Sequence, residues 1–350
     1  MKATDFDYLL AESSIAQEPL ADRAASRMLV LYRNERRWED RLFRELPQFL
    51  RAGDCLVLND SRVFPSRLYG QRAGVHAVSV GKNNPKRWQN LSGDVEVLLL
   101  RPVSADAKAW TALVRPGRKM RTGERIRFSD ELEAEIVGRA EFGERTIQFH
   151  YDGDLYDALN AIGHVPLPPY IRRADRMEDR ERYQTVFARE RGSVAAPTAG
   201  LHFTPEILDA CRAAGAGIAY VTLHVGLGTF QPLHEEEVEN VRLHSEQFSI
   251  MPDNVARMRA ASRRICVGTT SVRSVESAWR GRQGETDLFI HPGFEFLATD
   301  AMLTNFHLPQ SSLLMLVCAL AGTEVVLEAY RHAVEAGYRF YSYGDCMLIV

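Results

Sequence analysis

Three histidines in this 350-residue chain stand where an apolar run breaks into small or polar residues. His202 closes "PTAGLHF", His224 opens "HVGLGTF", and His307 lies in "LTNFHLP". Imidazole titrates near neutral pH, so each is a candidate general base or hydrogen-bond donor. A fourth, His244, precedes Glu246 by two positions in "HSEQF". Alternation along a strand puts both on one face, where the carboxylate can partner the ring. A rigid turn, a β-corner, a capping loop and a surface pair are the structural alternatives, and the residues alone do not rank the histidines.

Other segments have the chemistry of binding. In "VGTTSVR", Gly268, Thr269, Thr270 and Ser271 stand at a helix N-terminus, where free N–H groups and the helix dipole favour an anion. The phosphate-loop pattern with its lysine is absent, so a carboxylate or small anion is expected. Arg273 can grip a carboxylate through two bonds, unless Glu276 holds it as a local ion pair. Gly226 and Gly228 allow backbone amides to approach a ligand, and Thr229 follows them. This is not a dinucleotide fingerprint, because Pro232 blocks a following helix. Thr198 and Gly200 permit a tight turn, and Asn305 flanks His307 across an aromatic residue. In "YSYGD", Tyr341 and Tyr343 can stack on a base and Asp345 can accept ribose hydroxyls.

A metal site is the rival use of the histidines. No H-x-x-x-H, H-x-H or C-x-x-C pair occurs, so no metal ligand set is expected. The five cysteines (Cys55, Cys211, Cys266, Cys318, Cys346) are scattered, which points to buried free thiols and a cytoplasmic protein. No stretch reaches the ~18 apolar residues of a membrane helix, so no membrane partner is expected. The net charge of -3 does not announce a nucleic-acid binder. Locally, however, Arg101, Lys108, Arg115, Arg118, Lys119, Arg121, Arg125 and Arg127 face only Asp106 and Glu124, an excess suited to a polyanion.

Two kinds of pattern must position these residues. From about 62 to 152, "DVEVLLL", "AWTALVRPG", "ERIRF" and "EAEIVGRAEFGERTIQFHY" read as strands joined by glycine turns, an all-β, barrel-like module. Val75 to Gly93 reads as a long polar loop within it. From about 154 helices and strands alternate. "TPEILDACRAAG" begins with Thr204 as cap and Pro205 at the first helical position, and ends at Gly215. "IAYVTLHV", "ICVGTT" and "AMLTNF" are strands; "SVRSVESAWRG", "SSLLMLVCALAG" and "EVVLEAYRHAVEAG" are helices. The expected fold class is α/β: a large mixed or parallel sheet in a discontinuous domain (1–61 plus 153–350), carrying the inserted small all-β barrel domain (62–152). If the strands run parallel, "AAPTAGLHF", "VTLHVGLGTF", "VGTTSVR" and "LTNFHLPQSS" converge on one sheet edge.

The chain resembles the S-adenosylmethionine:tRNA ribosyltransferase-isomerase family of queuosine biosynthesis. The resemblance runs through "LVLNDSRVFPSRLYG", "GHVPLPPYIRR", "ERYQTVFARERGSVAAPTAGLHFT", "VTLHVGLGTFQP", "HSEQF", "VGTTSVRSVES", "PGFEF", "LTNFHLPQSSLLMLVCALAG" and "YRFYSYGDCMLI". The segment from Val75 to Gly93 is longer than the family's compact hairpin. The resemblance implies an α/β domain with a β-barrel domain and a monomeric enzyme. It implies transfer and isomerisation of the ribosyl group of S-adenosylmethionine onto 7-aminomethyl-7-deazaguanine at the tRNA wobble position. Adenine and methionine leave and epoxyqueuosine-tRNA forms. S-adenosylmethionine is then a consumed substrate, and no cofactor is expected.

That chemistry gives the candidate residues expected roles. A sulfonium acidifies the neighbouring C–H bonds, so a base among His202, His224 and His307 would remove a ribose C5′ proton. His244 with Glu246 would serve the acceptor amine. The methionine carboxylate suits the Gly268–Ser271 turn and Arg273, and Phe203, Phe230 and Phe306 suit an adenine wall. A metal-dependent hydrolase and a catalytically silent tRNA-binding relative are the other classes.

Overall fold

The structure, a computed structural model, describes residues 1–73, 83, 93–104, 106–140, 143–226 and 237–350. Its strands are β1 (Arg27–Tyr32), β2 (Arg37–Leu42), β3 (Asp54–Asn59), β4 (Ser61–Val63), β5 (Arg67–Arg72), β6 (Asp94–Pro102), β7 (Ala109–Arg115), β8 (Arg125–Arg127), β9 (Glu133–Arg139), β10 (Arg145–His150), β11 (Glu190–Ser193), β12 (Gly217–Leu223), β13 (Glu246–Ser249), β14 (Arg263–Val267), β15 (Gly284–Thr286), β16 (Ala301–Asn305) and β17 (Cys346–Ile349). The helices are α1 (Leu155–Ile162), α2 (Asp179–Arg182), α3 (Pro205–Ala213), α4 (Pro252–Ala260), α5 (Thr269–Trp279), α6 (Ser312–Ala321) and α7 (Thr323–Glu335).

The described residues form two units. One comprises Met1–Arg62, Pro168–Ala174 and Glu181–Val350; the other comprises Val63–Leu167 and Asp175–Arg180. The first holds a nine-stranded sheet in the order β15-β13-β12-β3-β14-β16-β17-β1-β2. Strands β12, β3, β14 and β16 run parallel, and β17 enters antiparallel to β16 and parallel to β1. The sheet is therefore mixed.

Its central strands are apolar on both faces. Residues alternate between two cores: Leu29, Val57, Cys266, Met302 and Met347 turn to one, and Val30, Leu56, Ile265, Leu303 and Leu348 to the other. Burial on both sides explains why these strands read as continuous apolar runs. Leu314, Val317, Val326 and Tyr330 of α6 and α7 pack on the first face, and Leu208 and Cys211 of α3 on the second. The Thr204 hydroxyl caps α3 by accepting from the Ile207 N–H at 3.3 Å. All five cysteines are buried free thiols.

The second unit contains a closed barrel, β10-β7-β6-β5-β8-β9. Leu68, Val97, Leu99, Trp110, Ile126, Ile136 and Ile147 fill it. The Arg72 guanidinium and Glu124 carboxylate form an ion pair buried within this unit. The unit runs past the expected boundary at 152 because the following segment bonds to it. Arg67 and His164 exchange backbone hydrogen bonds of 3.2 and 2.8 Å, and Tyr156 packs on Phe64. Asp175 accepts from the Val165 N–H at 2.9 Å. The long loop expected from 75 to 93 lies almost wholly outside the described residues. Among the described residues no single helix is long and apolar enough to cross a membrane.

Candidate active site

The parallel strands β12, β3, β14 and β16 bring their carboxyl ends to one sheet edge, where ligands of open α/β sheets bind. A cavity there is lined by residues 195–199, Val225, residues 268–270 and residues 304–307. The four segments singled out in the sequence thus meet. Tyr170, Leu313, Tyr341 and Ser342 complete the wall. Of the glycine loop after β12, Gly228, Thr229 and Phe230 lie outside the described residues. Gly226 is described, and its N–H donates to Glu246 Oε1 at 2.9 Å.

One wall is the N-terminus of α5. Gly268 takes φ +85°, a conformation costly for a side chain, and turns β14 directly into the helix. Its N–H donates to the Leu303 carbonyl at 2.7 Å, tying the turn to β16. Among the described residues no hydrogen bond takes the N–H groups of residues 269–271, the donors a helix start leaves unpaired. Thr270 Oγ1 accepts from Asn59 Nδ2 at 3.2 Å, whereas the Ser271 hydroxyl turns back to Val267 O. Gly268, Thr269 and Thr270 face the cavity; the Ser271 side chain does not line it.

The histidines separate. His307 lines the cavity, with Nε2 at 2.9 Å from Thr304 Oγ1 and no hydrogen bond to Nδ1 among the described residues. Thr304 Oγ1 is also 3.3 Å from the Asn305 carbonyl. If the threonine donates there, it accepts from His307 Nε2–H and leaves Nδ1 with a lone pair. Burial holds the His307 pKa down at about 3, so the ring is neutral at physiological pH. The Tyr8 hydroxyl donates to the His307 carbonyl, and the His307 N–H donates to Tyr330 OH at 3.2 Å.

His202 is buried and does not line the cavity. Asn305 Nδ2 donates to the carbonyls of Tyr341 and Ser342, so Asn305 Oδ1 is an acceptor. His202 Nε2, 3.0 Å from that oxygen, must carry the proton. Burial lowers its pKa to about 4, so the ring is neutral, and Nδ1 lies 2.8 Å from Ser26 Oγ, whose hydroxyl donates to the Arg23 carbonyl at 2.9 Å. Both nitrogens are engaged, and His202 positions Asn305. His224 is half-buried, its pKa lowered by burial, and it does not line the cavity; Nδ1 has no partner among the described residues.

Arg273 and Glu246 do not take the expected places. Arg273 Nη1 donates to Glu246 Oε2 in a buried ion pair, and its Nε donates to Leu288 O at 3.0 Å. Neither residue lines the cavity around α5's first turn. Glu276, the expected local partner, instead accepts from Arg280 Nη1 at 2.5 Å and from the N–H groups of Leu297 and Ala298. Strand β13 begins at Glu246, so His244 precedes the strand and shares no strand face with it. His244, Glu246 and Arg273 line a separate apolar cavity that meets the first at Leu313.

The C-terminal turn is also shifted from expectation. Asp345 accepts from the backbone N–H groups of Arg27 and Arg339, at 2.9 and 2.8 Å. It joins β1 to the approach of β17 and does not reach the cavity. The Tyr343 ring packs on Tyr183; Tyr341 and Ser342 form the wall instead. Tyr341 lies edge-on to Tyr170, centroids 4.0 Å apart, and Tyr170 OH bonds to Ser342 Oγ at 2.5 Å. Tyr170 was missed; its only sequence signal is an aromatic residue after the extended "PLPP" run. Gly200 packs: a Cβ there would sit 2.8 Å from Thr185 Cγ2. Thr198, half-buried, lines the cavity with Asn305. Phe203 is buried against Phe43 and Phe187, and Phe306, although at the cavity, packs among Tyr330, Tyr338 and Phe340. No three-residue metal ligand group occurs among the described residues.

Comparison with known proteins gives this geometry a family. The chain is 68% identical to an S-adenosylmethionine:tRNA ribosyltransferase-isomerase from Solibacter usitatus and 47% identical to one from Symbiobacterium thermophilum, each alignment covering 100% of both chains. A solved structure of an S-adenosylmethionine tRNA ribosyltransferase from Thermotoga maritima is 36% identical, with a TM-score of 0.54, and covers 99% of this chain and 100% of that one. The queuosine biosynthesis protein family matches residues 3–349, and the chain belongs to that family.

Proposed function

We propose that this enzyme transfers and isomerises the ribosyl group of S-adenosylmethionine onto 7-aminomethyl-7-deazaguanine in the wobble position of tRNA. Adenine and methionine are released, and epoxyqueuosine-tRNA is the product. The observation that carries this reading is full-length identity of 68% to a relative bearing that activity's name. The cavity chemistry supports it. His307, neutral and at the cavity, serves as the base that removes a C5′ proton beside the sulfonium, with Nδ1 as acceptor. The unpaired N–H groups heading α5 suit the methionine carboxylate. Tyr170 and Tyr341 offer aromatic surface to a base.

S-adenosylmethionine is consumed as a substrate, and no cofactor is required. Arg115, Arg118 and Arg121 of the barrel unit are exposed and make no ion pair among the described residues, which supports phosphate contacts to tRNA. The enzyme works in the cytoplasm as a monomer; the scattered buried thiols support that compartment.

The test incubates purified protein with S-adenosylmethionine and tRNA carrying the aminomethyl-deazaguanine. Adenine, methionine and the tRNA nucleoside are followed together. Stoichiometric adenine and methionine with a heavier nucleoside are expected. Methylated tRNA with S-adenosylhomocysteine would overturn the reading.

A further inference from the structure

A second, smaller cleft is lined by Arg23, Ser26, Arg182, His202, Arg339 and Ser342, among others. Ser342 also lines the substrate cavity, so the two clefts share a wall. The cleft gathers three arginines. Several other half-buried and buried arginines pair with acids: Arg72 with Glu124, Arg263 with Asp54, Arg264 with Asp300, Arg273 with Glu246, and Arg280 with Glu276. Arg23, Arg182 and Arg339 make no ion pair among the described residues.

Their donors go to backbone carbonyls. Arg23 donates to Gln184 and Glu181, at 2.7 and 2.8 Å, and to Leu201 at 3.2 Å. Arg182 donates to Leu20 and Ala21, and Arg339 to Glu18 and Tyr343. Carbonyls orient a guanidinium but leave its charge intact. Each guanidinium also has more N–H groups than these bonds use. Asp345, which acts electrostatically on His202, has its oxygens on backbone amides. The charges repel one another: burial first and then Arg182 lower the pKa of Arg23, more than Tyr343 and Glu181 raise it. Three pre-oriented guanidiniums without an ion pair among the described residues are a receptor for a phosphate group.

We propose that this cleft binds a backbone phosphate of the RNA, next to the nucleotide whose base occupies the adjoining cavity. This rests on the tRNA reading above. Such a contact positions the strand and carries no sequence information. The seven or so bonds to carbonyls keep the arginines in place before RNA arrives, so little side-chain entropy is lost on binding.

The test uses the full-length protein and measures tRNA affinity against salt concentration for wild type, R182Q, R339Q and R182K. Each glutamine variant is expected to lower the log–log salt slope by about 0.7 to 0.9, the value for one phosphate contact. KM for tRNA should rise roughly tenfold, about 1.4 kcal/mol, with KM for S-adenosylmethionine held. R182K should keep the slope. A misfolded variant would change both KM values and the melting curve together. Unchanged slopes in both glutamine variants would overturn the proposal. So would inorganic phosphate that stabilises the wild type without competing with tRNA, because the site would then take a free anion. Wild type that binds tRNA but releases no adenine sinks the catalytic reading alone, and the slopes still decide the cleft.

Discussion

His202 Nε2 donates to Asn305 Oδ1 across 3.0 Å, and the same amide donates through Nδ2 to the carbonyls of Tyr341 and Ser342. One relay therefore joins the turn 198–202, the end of β16 and the approach to β17. Tyr341 has φ +73°, a left-handed conformation that costs roughly 1–2 kcal/mol for a residue with a side chain. The two hydrogen bonds from Asn305 hold that turn and keep Tyr341 and Ser342 at the cavity.

The relay makes stability depend on pH. An unfolded histidine titrates near 6.5, whereas His202 and His307 are depressed to about 4 and about 3. Below about pH 6.5 the unfolded chain takes up protons that the folded chain refuses. The stability present above that pH is therefore lost as pH falls towards the folded values. At about pH 5 each histidine should cost about 2 kcal/mol relative to pH 8. H202F, which packs beside Phe43, removes one of those terms. Denaturant unfolding at both pH values should show the variant losing about 2 kcal/mol less on acidification than wild type, although it is less stable at pH 8 because Asn305 Oδ1 loses its donor. Equal acid losses would mean that His202 titrates alike in the folded and unfolded chains.

His307 is assigned the proton abstraction because it alone of the three central histidines lines the cavity. H307Q should slow single-turnover adenine release by about 100- to 10,000-fold, the usual share of a general base. S-adenosylmethionine binding should change far less. With a folded pKa of about 3, His307 should give kcat/KM no acid limb between about pH 5 and 8. Adenine release that survives H307Q would move the role elsewhere, with His224 the next substitution.

The convergence of loops was legible because parallel strands buried on both faces read as apolar runs, and each ends abruptly at small or polar residues. Val267 before Gly268 and Leu303 before Thr304 are examples. Helix starts were legible through Thr204 with Pro205. Partnership was not. Arg273 has an acid three residues away, yet it pairs with Glu246 because β13 brings that carboxylate to α5 from 27 positions earlier. Tyr343 and Asp345 read as ligands, but strand pairing of Asn305 with Cys346 leaves Tyr341 and Ser342 at the cavity. Such pairings depend on register in three dimensions, which local pattern does not encode.

The Tyr8 hydroxyl donates to the backbone carbonyl of His307 from the N-terminal segment. Y8F keeps the ring that packs on Tyr330 and removes only that donor. Leaving a buried carbonyl short of one bond should cost about 1–3 kcal/mol of stability. If the bond also positions His307, adenine release at saturating S-adenosylmethionine should fall more than KM rises. A loss confined to the melting curve would make Tyr8 a purely structural clamp.

The Arg273–Glu246 pair tests whether α5 is held by charge or simply occupied by it. Both side chains are buried, and Glu246 also accepts the Gly226 N–H that opens the glycine loop. Removing one partner leaves the other charged and unpaired, so E246Q should destabilise by about 3–5 kcal/mol. A double variant, E246Q with R273M, removes the stranded charge and should regain part of that loss, with coupling of about 0.5–3 kcal/mol in a double-mutant cycle. The kinetic consequence separates binding from support. If Arg273 is occupied by Glu246, R273M weakens S-adenosylmethionine only in proportion to the disturbance of α5, and the double variant recovers much of KM. If Arg273 instead leaves Glu246 to grip the methionine carboxylate, the double variant keeps the full KM defect of R273M. KM for S-adenosylmethionine in the three variants therefore decides between a structural ion pair and a ligand-exchanging one.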